Sequence, residues 1–235
     1  MKDIFGQALL DYQKGHYTED IITETNISEE DVLPLPYLFI DFREMPPIEQ
    51  KALQLTKGSV LDVGCGAGSH SLYLQEKGHL VTAIDISKGA IEVCKLRGIN
   101  DARQIELLQL NNEKFDTILL LMNGTGLFQK LEFLDNYFQH LKKMINPGGQ
   151  ILIDSSDLRY MYDKGEEEGS LIIPDGCIYY GELQYTIHYK QWTSNPFDLL
   201  YLDEKTFKKA CVANGINFKV EYFGENYDYL AKLTN

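Results

Sequence analysis

The residues best suited to chemistry are two carboxylates and three glycines. Asp62 stands near the end of the short, mostly apolar run Val60-Leu61-Asp62-Val63, and Gly64, Gly66 and Gly68 follow at alternate positions. An apolar run bounded by Gly58 and Gly64 reads as a strand covered on both faces. Glycines at this spacing let the backbone turn tightly and approach a ligand where a helix begins. Dinucleotide folds show G-x-G-x-x-G, with a pyrophosphate on the helix N-terminus. Here the third glycine comes one residue early and Asp62 stands beside the turn. A carboxylate repels a pyrophosphate and attracts an ammonium or sulfonium. Asp85 ends a second apolar run, Val81-Thr82-Ala83-Ile84, 21 positions after Gly64. That is close to the offset of about 20 residues expected of the acid that accepts ribose hydroxyls.

Asp62-x-Gly64-x-Gly66-x-Gly68 followed by Asp85 resembles the first two motifs of class I S-adenosylmethionine-dependent methyltransferases. The resemblance covers about the central hundred residues. It implies an α/β chain with a Rossmann-like seven-stranded sheet, mostly parallel with the last strand antiparallel, and S-adenosyl-L-methionine as cofactor. Carried over position by position, the cofactor-binding candidates are Asp62, Gly64, Cys65, Gly66, Gly68, His70, Asp85, Ile86, Ile105 and Asn123. An acidic residue after the third strand commonly meets the adenine in this family. Gln104, Ile105 and Glu106 occupy that region here, and which of them faces the base stays open.

A chain of 235 residues is long enough for one large α/β domain with a substantial core. Its 22 basic and 35 acidic residues give a net charge of −13, with the basic ones scattered. That surface argues against nucleic acid as a partner. Cys65, Cys94, Cys177 and Cys211 have neither metal-ligand nor disulfide-framework spacing, and read as free thiols in a reducing compartment. No metal is expected. With no basic-then-apolar start and no long apolar run, the expectation is a cytoplasmic protein without membrane segments.

The elements that must position these residues can be read in order. Ile4, Phe5, Ala8, Leu9 and Tyr12 recur at helical spacing before Gly15. Tyr17 to Glu44 reads as a linker with an aromatic cluster at Tyr37-Leu38-Phe39. Pro46-Pro47 opens a helix through about Thr56. In the family such an N-terminal segment often folds over the cofactor, which makes Tyr12 and Arg43 candidates for closing the pocket. Ser69 to Lys77 should form the first core helix, with His70 in its first turn. Ser87 is the N-cap of a second helix ended by Gly98, and Ala102 to Ile105 a short strand. Phe115 to Leu121 reads as a fully apolar strand leading to Asn123-Gly124-Thr125-Gly126. This resembles the fourth methyltransferase motif, without the Pro-Pro-Tyr or Pro-Cys patterns of nucleobase enzymes. Asn123 therefore reads as a hydrogen-bonding residue.

Leu131, Leu134, Phe138, Leu141 and Ile145 mark an amphipathic helix, broken by Asn146-Pro147-Gly148-Gly149 before a strand from Gln150 to Asp154. Asp154 lies at the strand end where ligands of open α/β sheets bind. Beyond Asp157, Glu166-Glu167-Glu168 reads as a solvated loop. Tyr179 to Lys190 alternates as a strand, and Phe197 to Leu202 returns beside it as an inserted hairpin. Tyr180, Glu182 and Trp192, with Tyr12, Arg43 and Asp154, are the candidates for contacting a small-molecule acceptor. A helix to Gly215 and a closing strand pair, Phe218 to Phe223 and Tyr229 to Leu233, complete the expected order.

The expected organisation is a single domain: an N-terminal cap over 1–57, a cofactor-binding core over 58–154, an inserted region over 155–202 and a C-terminal unit over 203–235. The expected reaction is methyl transfer to a small molecule. The readings it competes with are a nicotinamide-dependent oxidoreductase and a non-catalytic S-adenosylmethionine-binding scaffold. His70, His188, Glu182 and Asp154 are the available bases, and none is singled out as catalytic.

Overall fold

The computed structural model describes residues 2–163, 171–173 and 178–235. The N-terminal helix α1 (Ile4–Gln13) is followed by strands β1 (Ile21–Thr25) and β2 (Asp31–Leu33), a 3-10 turn over Leu35–Phe39, and helix α2 (Pro47–Leu55). The alternation that follows is β3 (Val60–Val63), α3 (Ser69–Glu76), β4 (Val81–Asp85), α4 (Lys88–Leu96), β5 (Ala102–Gln104), β6 (Phe115–Leu120), α5 (Leu134–Met144) and β7 (Ile145–Ser156). Then come β8 (Glu182–Tyr189), β9 (Trp192–Thr193), β10 (Phe197–Leu200), α6 (Glu204–Ala213), β11 (Asn217–Phe223) and β12 (Asp228–Thr234).

The main sheet runs β5-β4-β3-β6-β7-β12-β11, parallel from β5 to β7, with β12 antiparallel to both its neighbours. All four residues of β3 are buried, Asp62 among them, as befits a central strand covered on both faces. The chain leaves β3 toward β4 and β5, then returns to β6 on the other side, so the switch in strand order falls between β3 and β6. Ligands of open α/β sheets bind at such a point, outside the C-terminal strand ends. One face is covered by α5 and α6, where Phe138 stacks on Phe207 with ring centroids 6.1 Å apart. On the other, Ile48, Ala52 and Leu53 of α2 pack with Leu74, Leu119, Leu152 and Leu230.

A second, antiparallel sheet runs β10-β8-β1-β2, with β9 also paired to β8. The expected hairpin is present as β8 and β10, Leu183 facing Leu199. Its other edge corrects the reading of Tyr17 to Glu44 as a linker. β1 lies along β8, Ile22 opposite His188 and Thr25 opposite Tyr185, and β2 pairs with β1. Two further boundaries move. β8 begins at Glu182, leaving Tyr179 and Tyr180 ahead of it, and β7 already begins at Ile145, so Asn146 to Gly149 belong to a long strand with an irregular register against β6. The acidic run Glu166 to Glu168 and Cys177 lie outside the described residues. Among the described residues no helix is long and apolar enough to cross a membrane.

Candidate active site

The glycine turn is stapled to β4. The amides of Gly64 and Cys65 donate to Ile84 O (2.8 and 3.1 Å), that of Gly68 to Cys65 O (2.8 Å), and that of Gly66 to Asp85 Oδ2 (3.0 Å). The other Asp85 oxygen accepts from Ser87 N at 2.8 Å. These amides are thus spent within the protein, an arrangement ill suited to cradling a pyrophosphate. What the glycines provide is conformation and room. Gly66 has φ +52°, and a Cβ there would meet nothing nearer than the Phe5 ring at 4.0 Å, so the turn borders an open slot. Gly68 differs: its φ is +82°, and a Cβ would strike Ile99 and Cys94, so its role lies in packing the turn against α4. Cys65 is buried with its Sγ 3.6 Å from that of Cys94, and this contact together with burial pushes its thiol upward.

Asp62 is 2% exposed and accepts from Ser71 Oγ at 2.6 Å. Burial raises its pKa, while the neighbouring His70 and the Ser71 hydrogen bonds oppose the rise. Asp85 is likewise raised by burial against the Ser87 and Gly66 amides. Its carboxylate keeps acceptor capacity for ribose hydroxyls beyond those two bonds. Ile86, next in sequence, is 73% exposed, an apolar surface free for a base to lie against. Gln104 turns back to donate to Ile86 O (3.0 Å), Ile105 N donates to Asp85 O (3.1 Å), and Glu106 is exposed.

At the end of β6, Asn123 adopts a left-handed conformation, φ +61°, and Asp154 explains how the turn is held. Asn123 N and Gly124 N donate to its two carboxylate oxygens, at 3.0 and 2.7 Å. Asp154 is 8% exposed, and burial lifts it to about 6 against those two amides, with the Glu49 charge adding to the rise. The Nδ2 of Asn123 is buried with no hydrogen-bond partner among the described residues. A buried donor left unsatisfied costs about 1–3 kcal/mol, so this atom calls for a ligand oxygen or nitrogen.

His70 does not stand free at the glycine turn. Its Nε2 lies 2.6 Å from Glu49 Oε2, and both side chains are nearly inaccessible. Burial pushes His70 down, but the Glu49 hydrogen bond and the Asp62, Glu49 and Asp154 charges outweigh it, and its pKa is raised. Tyr37 OH donates to Glu49 Oε1 at 3.4 Å, and burial with the Glu49 charge lifts the phenol to about 12.

The other expected acceptor contacts are dispersed. Tyr12 packs on Tyr17 and Phe39. Arg43 is exposed, whereas Arg97 at the end of α4 joins the cap to the glycine turn, donating to Ala67 O (2.6 Å), Ser69 Oγ (3.2 Å) and Phe39 O (3.4 Å). Tyr180 OH donates to Asp157 (2.8 Å), Glu182 accepts from Leu131 N (2.9 Å), and Trp192 lies under Lys2.

Sequence reading missed Glu49, Tyr37, Arg97 and Asp3. Asp3 caps α1 through Gly6 N (2.9 Å) and also accepts from Ser87 Oγ and Gly89 N (both 2.8 Å) at the start of α4. Its place just before a helical run is an N-cap signal. Glu49 and Arg97 sit where acids and bases simply complement helix ends, so nothing local set them apart.

Comparison with known proteins agrees with this geometry. The methyltransferase domain family matches residues 61–153. A S-adenosylmethionine-dependent methyltransferase from Bacteroides fragilis, solved in complex with S-adenosyl-L-homocysteine, is 41% identical, with 99% of this chain and 94% of that one aligned at a TM-score of 0.91. A ubiquinone biosynthesis O-methyltransferase from Coxiella burnetii (strain Dugway 5J108-111) is 28% identical over 159 residues, 63% of this chain and 66% of that protein. A cypemycin N-terminal methyltransferase from Streptomyces sp is 26% identical over 124 residues, half of each. The chain thus spans about two thirds or less of these curated relatives. Fold and site together define a class I methyltransferase architecture. The chain belongs to the S-adenosylmethionine-dependent methyltransferase family.

Proposed function

We propose that the protein transfers a methyl group from S-adenosyl-L-methionine to a small-molecule acceptor at the C-terminal edge of the main sheet, between the N-terminal cap and the second sheet. The observation that carries this is the buried, unpartnered Asn123 amide at the same edge as Asp85 and the glycine turn, in a chain 41% identical to a methyltransferase solved with S-adenosyl-L-homocysteine. The residues fit the cofactor: Asp85 has acceptor capacity for a ribose diol, Ile86 offers an apolar face for adenine, and Asp62 suits a cation.

When bound, the cofactor supplies an electrophilic methyl group and its own leaving group. The protein's own contribution is then positional. Asp154 fixes the β6 turn so that Asn123 presents its amide. Thr125 Oγ1, donating to Leu200 O at 2.9 Å, and Ser155 Oγ, accepting from Leu202 N at 2.8 Å, tie the second sheet to that turn. Holding two reactants in line while excluding water can supply about 7–11 kcal/mol of the barrier. A small acceptor suits the strongly acidic surface, which repels phosphate backbones. The single-domain organisation and a cytoplasmic location belong to the same reading.

Calorimetric titration with S-adenosylhomocysteine tests it. Micromolar binding is expected, weakened about tenfold or more in Asp85→Asn through loss of a charged acceptor. A folded wild-type protein that binds none of it overturns the proposal.

A further inference from the structure

Glu49 and His70 form a buried ion pair that the reading above does not use. Such a pair gains little stability over apolar side chains of similar volume, so its place calls for another reason. Glu49 stands in the first turn of α2 and His70 in that of α3, both helices pack on the same face of the main sheet, and α3 follows directly from the glycine turn after β3. His70 feels the charges of Asp62 and Asp154 as well as Glu49, and Tyr37 feels Glu49 and Asp154. Of this group only His70 can carry positive charge, against three carboxylates. The floor at the strand switch is therefore set for a cation, and the unpartnered Asn123 amide marks the same edge as awaiting a ligand.

Resting on the methyltransferase reading, we propose that Glu49 is a positioning residue for the cationic half of the cofactor. Held in place by His70, its buried carboxylate favours the sulfonium over the neutral thioether left after transfer, so that product is released in exchange for fresh donor. Asp62, which accepts from Ser71 Oγ at 2.6 Å, adds to the same bias, and Glu49 enlarges it. Opposite charges a few ångströms apart at an effective dielectric of about 20 change affinity by roughly tenfold or more.

The test is the ratio of affinities for three ligands measured on the intact protein: S-adenosylmethionine; sinefungin, in which a carbon bearing an ammonium group replaces the methylated sulfonium; and S-adenosylhomocysteine, which is neutral there. Glu49→Gln should weaken the two cationic ligands about tenfold relative to S-adenosylhomocysteine. His70→Gln should leave that preference intact or increase it. The double variant, Glu49→Gln with His70→Gln, leaves neither partner of the pair buried alone and should lie between the two single variants in ratio, which keeps the test available where a single variant folds poorly. Equal weakening of all three ligands assigns the pair a structural role and overturns the inference, as does an unchanged ratio. Failure of the wild-type protein to bind S-adenosylhomocysteine overturns the methyltransferase reading instead, so the two failures are distinct.

Discussion

Gly89→Ala should destabilise this protein although alanine is the better helix former. Gly89 opens α4 and faces Gly6 of α1 so closely that a Cβ would lie 2.4 Å from the Gly6 carbonyl carbon and oxygen. Ordinary contact begins near 3.4 Å, and the obstacle is backbone, so the two helices must part by about 1 Å. In an isolated helix the substitution gains about 1 kcal/mol. Overpacking a close contact costs about 1–3 kcal/mol. Parting the helices also stretches the bonds that bring Ser87 Oγ and Gly89 N to Asp3, which as bonds to a charged acceptor contribute about 1.5–3 kcal/mol each when well made. Ile4, Ala8 and Leu9 are almost wholly buried and resist the shift. The net expectation is a loss of about 2–3 kcal/mol, a fall in Tm of roughly 5–10 °C at this chain length. Because Phe5 of α1 faces Gly66, binding of S-adenosylhomocysteine should weaken as well. Thermal melts followed by circular dichroism, with calorimetric titration alongside, read both effects. A variant that melts at or above the wild-type temperature refutes the reasoning, since it shows that propensity decides and the contact does not.

Gly68→Ala combines a left-handed backbone with a Cβ aimed at Ile99 and Cys94, and should cost about 2–4 kcal/mol in urea unfolding. Arg97→Lys cannot reach Ala67 O, Ser69 Oγ and Phe39 O together, and should lose about 1–2 kcal/mol in the same assay. Asp154 titrates at about 6 in the folded protein against 3.8 as its ordinary value. The native state therefore holds the proton more tightly, and the stability from this group, present below pH 3.8, is lost as pH rises through 6. Asp154→Asn should flatten the pH dependence of unfolding free energy between about pH 4 and 7 by about 3 kcal/mol; an unchanged slope counts against the assignment.

The central sheet was readable because its strands are buried on both faces and carry their pattern locally. β3, β6 and the glycine turn need no distant information to be recognised. The same holds for α5, whose buried Leu134, Phe138 and Leu141 sit on one face. β1 and β2 were hidden because Ile21–Thr25 mixes threonine and glutamate, and its partner β8 lies about 160 residues away. In the site, Asp85 and Asn123 were legible from their offsets to the glycine turn. Glu49 was not, because a buried carboxylate declares itself only through His70, 21 positions on in another helix. Arg97 was equally beyond sequence, since only tertiary packing decides that its guanidinium reaches Phe39 and Ala67.

The pairing of β1 with β8 has a mechanical consequence. β8 is held on one side by a strand from the first 25 residues and on the other by β10, so neither segment can lift from the main sheet without either carrying the other along or breaking a ladder of backbone hydrogen bonds. That second sheet is a single leaf made from two distant stretches of chain. Its amides should exchange with deuterium as one cooperative unit, with the Thr125 and Ser155 bonds as the catch that holds it to the β6 turn and β7.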